Sequence, residues 1–460
     1  VSDGTLIPLN RTEHMFWATE GYIGSINQPY LLRLEGEVDE ARIRLALRQL
    51  TSAHPRLRGV VVPTGSTYAL RILPDDFLID QLFEDAFRVE PGIDIDDPEA
   101  FQAWHSRVLN EPLQLERGLP WRARWVPHPT RPALIFSLHH IIGDGRSLIG
   151  MISAILGQLS GHPIAPQPLQ SPSMMPAVLP TSWAKWPASI AGWWRNNKKD
   201  AALKQGEKVL LLAKRVSPRF TTSTVRHHLL PCTPAQLKAL SKQMGTTVNS
   251  LLTAVIANTF LAREPGNPAA TAAIRISFDL RRHFPEGQVP EVGNFVSSFP
   301  VRARHQPDLK AQIAAIESQV KDNIGRYEKR EYALPLMLYE ALPLIGRRLF
   351  SLLIVQAKTK GKIPPMSCHF SNLGMAEAIQ PKDAKVRIAE LWPIAMGTTP
   401  VFGLVTLADK VLFTIGTQDD ETDTADVKAF LQALDGQLRA LLAQGAPAAA
   451  QAAPATAQTA

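Results

Sequence analysis

Cysteine is almost missing from this chain: its 460 residues include only Cys232 and Cys368. Two cysteines without CxxC or Cys/His spacing build neither a disulfide framework nor a thiolate metal centre, and they suit folding in a reducing compartment. Long apolar runs are missing too. The nearest candidate, LPLIGRRLFSLLIVQAK, is broken by Arg347 and Arg348. It falls short of the roughly 18–20 apolar residues of a membrane-spanning helix, so a soluble chain is expected. The opening VSDGTLIPLN lacks a basic start followed by an apolar stretch, so no secretory signal is expected. A cytoplasmic location follows, with contact to the inner membrane surface left open.

Excess charge is scarce once it is located. The net charge is +7, yet Trp183 to Arg215 alone carries Lys185, Arg195, Lys198, Lys199, Lys204, Lys208, Lys214 and Arg215 against Asp200 and Glu207. That segment therefore accounts for eight minus two, or +6, and the rest is close to neutral. Such a distribution excludes a general nucleic-acid binder. The same segment holds Trp183, Trp186, Trp193 and Trp194. Three readings stay open for it: contact with a membrane surface, docking of an acidic carrier protein, or a crossover helix whose tryptophans pack on the body.

What is present is ordinary globular material, with 45% hydrophobic and 20% charged residues. EHMFWATEGY reads as a short amphipathic helix, and QPYLLRLEGEVD as a strand alternating at Tyr30, Leu32 and Leu34. A helix with Ile43, Leu47 and Leu50 on one face ends before Pro55, and GVVVPTGSTYALRIL forms a hairpin around Pro63-Thr64-Gly65. A helix near Asp97 to Asn110 precedes the strands PWRARWV and ALIFSLHHII. The order βαββαββ predicts a mixed sheet covered by helices. After a proline-rich stretch from Gly161 to Pro180 the pattern restarts with the strand TVRHHLLP and helices at TPAQLKALSKQMG and TVNSLLTAVIANTFLARE. Later strands are AAIRISFDLRR, GNFVSSFPVRAR, MSCHFSNLG and VLFTIG. The expected division is 1–165, a basic and Trp-rich linker at 166–220, a second half at 221–445, and a low-complexity, uncharged tail at 446–460 expected to be disordered.

One segment carries chemistry. ALIFSLHHIIGDGRS is an apolar strand that ends in His139 and His140, followed by Gly143, Asp144 and Gly145. A bare His-x-x-x-Asp is a chance-level pattern in a chain with twelve histidines, but a preceding His and a following Gly make it specific. Histidine titrates near ~6.5 when unperturbed, so it can take a proton from an attacking hydroxyl or amine and return it to a leaving group. A metal site is rejected, because adjacent histidines in a strand point to opposite faces. The glycines on either side of Asp144 let a tight loop fold without steric penalty.

The chain here resembles the acyltransferase superfamily that includes chloramphenicol acetyltransferases, nonribosomal peptide condensation domains, polyketide-associated acyltransferases and bacterial wax ester synthases. LQLERGLPWRARWVP leading into the motif, SFDLRRHFPEGQVPEVGNFVSSFPV, HFSNLG and LWPIAMGTTPVFGLVTLADKVLFTIG carry the likeness from about Leu6 to Leu442. The Asp-Phe-Gly-Trp-Gly signature of plant members is absent, and VGNFVSSFP stands in its place, which favours the bacterial condensation-like branch. The resemblance implies an α/β fold of two chloramphenicol-acetyltransferase-like subdomains, each a mixed β-sheet flanked by helices, with a tunnel between them. It implies His140 as general base, Asp144 as an orienting residue paired with Arg281, and Gly145 in the catalytic loop. His139, Asn294, Ser371 and Asn372 stand in support, with Thr398 and Thr399 weaker. The expected reaction is acyl transfer from a CoA or carrier-protein thioester to an alcohol, a lipid or small molecule, with an amine as the rival acceptor. A non-catalytic binding module is the rival from another class. No metal and no tightly bound cofactor is implied; the CoA or phosphopantetheinyl thioester is a cosubstrate. No adenylation or carrier module fits this length, so a free-standing enzyme is expected.

Overall fold

The computed structural model describes residues 4–445 apart from 25, 66, 170–172, 218–221 and 342–344; the tail expected at 446–460 lies outside the described residues. Fifteen strands, numbered along the chain, form three sheets among these residues. A small antiparallel sheet joins β1 (Thr5–Pro8), β4 (Thr67–Ile72) and β3 (Gly59–Thr64) in that order. The first main sheet runs β13 (Arg387–Trp392), β2 (Asn27–Glu35), β7 (Ala133–His139), β6 (Trp121–Val126) and β5 (Phe87–Val89). It is mixed, with only β5 and β6 parallel.

The second main sheet runs β11 (Val296–Ala303), β10 (Ala270–Asp279), β12 (Cys368–Met375), β14 (Val401–Leu407), β15 (Lys410–Gln418) and β9 (Ser223–Leu229), with β8 (Lys208–Val209) pairing with β10. Each main sheet is backed by helices and closes its own apolar core. The first is built on Leu31, Leu34, Trp121, Phe136 and Ile152, and the second on Leu251, Phe260, Ile274, Phe402 and Phe413.

Local chemistry sets the elements. The helix Gly145–Leu159 starts where the Asp144 carboxylate accepts from the Ser147 backbone N–H, and it buries Leu148, Met151, Ile152 and Ile155 on one stripe. The hairpin turns at Gly65, whose φ of 64° lies in the left-handed region. The strand β2 is buried along both faces rather than alternating, because it is central between β13 and β7 and covered on each side. Besides the helices expected from sequence, Phe77–Ala86, Leu309–Glu328, Arg347–Thr359 and Thr424–Gly445 complete the layers.

Two features tie the halves together. Arg387–Trp392, inside the span 221–445 expected to form the second half, crosses over and adds to the first sheet against β2. At its end Trp392 stacks on His227 of β9, with ring centroids 4.4 Å apart and an interplanar angle of 11°. The helix Pro98–Asn110 of the first half lies against β9, where Ser106 Oγ receives the Val225 N–H at 2.9 Å. The linker helix Trp186–Lys204 docks on the second half. Its Asp200 meets Arg326 at 2.8 Å, and Asn196 donates to Glu331 at 2.6 Å. Much of the linker's positive charge is likewise paired, Lys199 with Asp322, Lys208 with Glu264 and Lys214 with Asp426. Trp183 and Trp194 remain exposed. No single described helix is long and apolar enough to cross a membrane.

Trp392→Ala removes a buried ring at this junction. It is expected to cost roughly 3–5 kcal/mol in denaturant unfolding, as large-to-small core substitutions do. A loss below about 1 kcal/mol would show that the crossover strand does not hold the halves together.

Candidate active site

The strand β7 ends at His139, and His140 opens the turn that follows, where the two main sheets meet. Their surroundings differ. His139 is fully buried in the first half; its Nδ1 accepts from the Ile141 N–H at 3.2 Å, and its Nε2 lies 3.5 Å from Glu20 Oε1. His140 is half-buried and faces the second half. Its backbone N–H is held by the Ile26 carbonyl at 3.0 Å, and its ring packs against Phe16 with centroids 4.6 Å apart. Asn294, on the approach to β11, donates through Nδ2 to the His140 carbonyl at 2.7 Å and lies 3.0 Å from His140 Nδ1.

Asp144 points away from that ring and into a buried network. Arg281 grips it with two nitrogens, Nη1 to Oδ2 at 2.7 Å and Nη2 to Oδ1 at 3.2 Å. The carboxylate also accepts from the Ser147 N–H and Oγ at 3.0 Å each and from the Phe295 N–H at 2.9 Å. Arg281 also donates to the carbonyls of Pro290 and Gly293, to Ser147 Oγ and, more distantly, to Asp279 Oδ1 and the Glu291 carbonyl. Both side chains are at most 4% exposed, so every hydrogen bond replaces lost solvation. One ion pair thus joins the loop after His140 in the first half to the β10–β11 connection of the second.

The glycines work by space rather than by backbone freedom, since neither Gly143 nor Gly145 has a positive φ. A Cβ on Gly143 would lie 2.6 Å from Ser147 Cβ. One on Gly145 would lie 2.8 Å from the Tyr30 hydroxyl and close to Leu373 of β12.

Residues that sequence reasoning passed over hold the other side of the loop. Arg56 donates to the carbonyls of Ile142 and Ile141 at 3.2 and 2.9 Å and pairs with Glu13 at 2.7 Å. Gln28 Nε2 donates to the Gly143 carbonyl at 2.8 Å. Glu13 belongs to the capping box of the helix Arg11–Ile23, and Asn10 Nδ2 reaches the Asn294 carbonyl at 3.1 Å. Arg56 sits just past the helix break at Pro55 and carries no local sign of a partner so far along the chain.

The late strand β12 splits its two expected contributors. Phe370 lies in the second core, so His369 and Ser371 face the first half. The Asn372 side chain instead accepts from the Gly374 N–H at 2.9 Å, beside a register shift between Asn372 and Met375. Thr398 and Thr399 lie in the loop between β13 and β14.

Burial pushes the His140 ring down to about 4, opposed by the nearby Asp144 charge. The imidazole is therefore neutral through the physiological range and can accept a proton.

The chain matches the condensation domain family model over residues 15–344 and belongs to the condensation domain family. It is 26% identical over 201 residues to the hybrid PKS-NRPS synthetase mycA of Thermothelomyces thermophilus, which covers 43% of this chain; the chain spans 5% of that protein's length. Its fold matches the trichothecene 15-O-acetyltransferase TRI3 of Fusarium sporotrichioides with a TM-score of 0.70 and 12% identity, over 95% of both chains. It also matches the starter condensation domain of rhizomide synthetase, solved with C8-CoA and Leu-SNAC, with a TM-score of 0.62 and 15% identity over 95% of both chains. The architecture is thus that of two chloramphenicol-acetyltransferase-like subdomains.

Arg281→Ala would leave the Asp144 carboxylate buried without its partner and is expected to lower unfolding free energy by roughly 3–5 kcal/mol. Arg281→Lys keeps the charge but not the two-pronged grip and should recover only part of it. A loss under about 1 kcal/mol for the alanine variant would show that the pair does not organise the loop.

Proposed function

We propose that this protein transfers an acyl group from a CoA or carrier-protein thioester to a hydroxyl acceptor, with His140 as the general base. The carrying observation is an imidazole, half-buried where the two sheets meet, whose loop is fixed from both sides. The acceptor hydroxyl loses its proton to Nε2 as its oxygen attacks the thioester carbonyl. The tetrahedral intermediate collapses with departure of the thiolate, and the imidazolium returns the proton to sulfur. In this reading transfer is direct, without an acyl-enzyme, as the family resemblance implies. The two reactants would approach along the junction between the subdomains from opposite faces.

Catalysis through Nε2 requires the neutral ring's proton on Nδ1, directed at the His140 carbonyl. Asp144 does not touch the ring. It fixes the loop that aims it and lends a negative charge that steadies the transient imidazolium. Ser371, on the β12 face turned toward the first half, is a candidate donor to the developing oxyanion.

Amide formation is the second reading, favoured by the match to peptide synthetase relatives, because the same base serves an amine. The likeness of fold to an O-acetyltransferase supports the hydroxyl acceptor.

Thiol release from acyl-CoA and acyl-carrier donors, with alcohol and amine panels and intact-mass analysis of products, tests both. His140→Ala should lower turnover by about 10²–10⁴-fold while leaving the unfolding midpoint in place. Full activity in that variant would remove the assignment. Because burial holds the ring near 4, its base form persists above that value. The wild-type kcat/KM should run level through pH 6.5 and fall only as the pH approaches 4. An acid limb centred between roughly 6 and 7 would show an imidazole in an unperturbed setting.

A further inference from the structure

The face of the second sheet that looks toward the catalytic loop carries an arginine without a counter-ion. Ile274, Ile276 and Phe278 of β10 are buried in the second core, so Arg275, Ser277 and Asp279 project to the other side. Asp279 fixes the direction of that side, because it pairs with Arg146, next to Gly145, at 2.6 Å. Arg275 stands in register with His369 of the neighbouring β12. The Nε2 of His369 lies 2.8 Å from Ser277 Oγ. His369 is close enough to both Arg275 and His140 to be disfavoured as a cation by each, after the larger effect of its own burial. The three basic side chains therefore share one environment beside the catalytic loop.

Within it Arg275 is half-buried, and among the described residues no hydrogen bond or ion pair engages its guanidinium. Burial weakens its basicity with no carboxylate offsetting the effect. The chain treats other buried arginines differently. Arg56 has Glu13, Arg281 has Asp144, Arg302 has Glu207 and Arg326 has Asp200. Asp279, the acid on the same face of β10, is already held by Arg146 and Arg281. Partly withdrawing a guanidinium from water without a counter-ion is costly, and a bidentate carboxylate is the group its planar fork fits best.

We propose that Arg275 receives a carboxylate carried by one of the two reactants, so that the site selects a substrate with an anionic group a few bonds from the reacting carbon. This rests on the acyl-transfer reading above. The phosphates of CoA do not meet the requirement. With the thioester at His140, they lie at the far end of the pantetheine arm, well beyond a residue on the adjoining strand.

The carboxylate belongs either to the acyl chain or to the acceptor, and two matched pairs of probes separate these sources. The donor pair is pentanoyl-CoA and the mono-CoA thioester of pentanedioic acid. The acceptor pair is 3-hydroxydecanoate and its methyl ester. Binding is measured by calorimetry on the His140→Ala protein, which holds substrates without turning them over. The expected result is that the carboxylated member of one pair binds roughly tenfold or more tightly. Adding Arg275→Gln should erase the preference, and adding Arg275→Lys should retain part of it. Equal binding within both pairs, or a preference that survives Arg275→Gln, would overturn the proposal. Turnover of the wild type with the same compounds is a separate readout. Its absence would count against His140 as base and leave the binding comparison standing.

Discussion

A buried carboxylate and a buried guanidinium, at most 4% exposed, carry the organisation of this protein. Asp144 does three things at once. It caps the helix Gly145–Leu159, accepts the Phe295 N–H of the other half, and accepts two hydrogen bonds from Arg281. Removing either charge strands the other in a low-dielectric interior, which makes the pair a strong determinant of geometry even if its net contribution to stability is modest. The loop after His140 is thereby fixed by residues on both sides of the junction. Arg56 and Gln28 hold its carbonyls from the first half, and Arg281 and Asn294 approach it from the second.

That arrangement explains how a histidine can be kept neutral and still be useful. Burial alone would make the His140 ring a poor base, and the Asp144 charge counters part of that penalty without contacting the ring. A weakly basic imidazole stays unprotonated at neutral pH. In the proposed reaction it gains basicity when a developing charge pair with the substrate is excluded from water. The face opposite the loop is polar as well, with Arg275, Ser277, His369 and Ser371 projecting from two neighbouring strands.

Much of this was legible before the structure, for identifiable reasons. The motif around His140 is a local pattern: an apolar strand, a glycine-flanked aspartate and an amphipathic helix leave their marks on consecutive residues. The Asp144–Arg281 contact spans 137 positions and was reachable only through family resemblance. The crossover of Arg387–Trp392 into the first sheet was not legible, because a strand's sequence records that it pairs and not with which sheet. Arg56 and Gln28 were missed for a related reason, as arginine and glutamine usually lie at the surface. The need for glycine around Asp144 was legible as a steric one, and the structure names the neighbours that impose it, Ser147 and Tyr30. The adjacent pair Ser371 and Asn372 looked equivalent until strand alternation and a bulge sent them to different tasks.

The account turns on which nitrogen of one ring holds its proton. Asn294 Nδ2 stands 3.0 Å from His140 Nδ1, and an Nδ1 that accepted from it would carry the ring proton on Nε2 instead. Nitrogen chemical shifts of the His140 ring, assigned by comparison with His140→Ala, report the tautomer directly. The account predicts a neutral ring protonated on Nδ1 throughout neutral pH, with Nε2 free. A ring protonated on Nε2, or one already cationic at neutral pH, would contradict it.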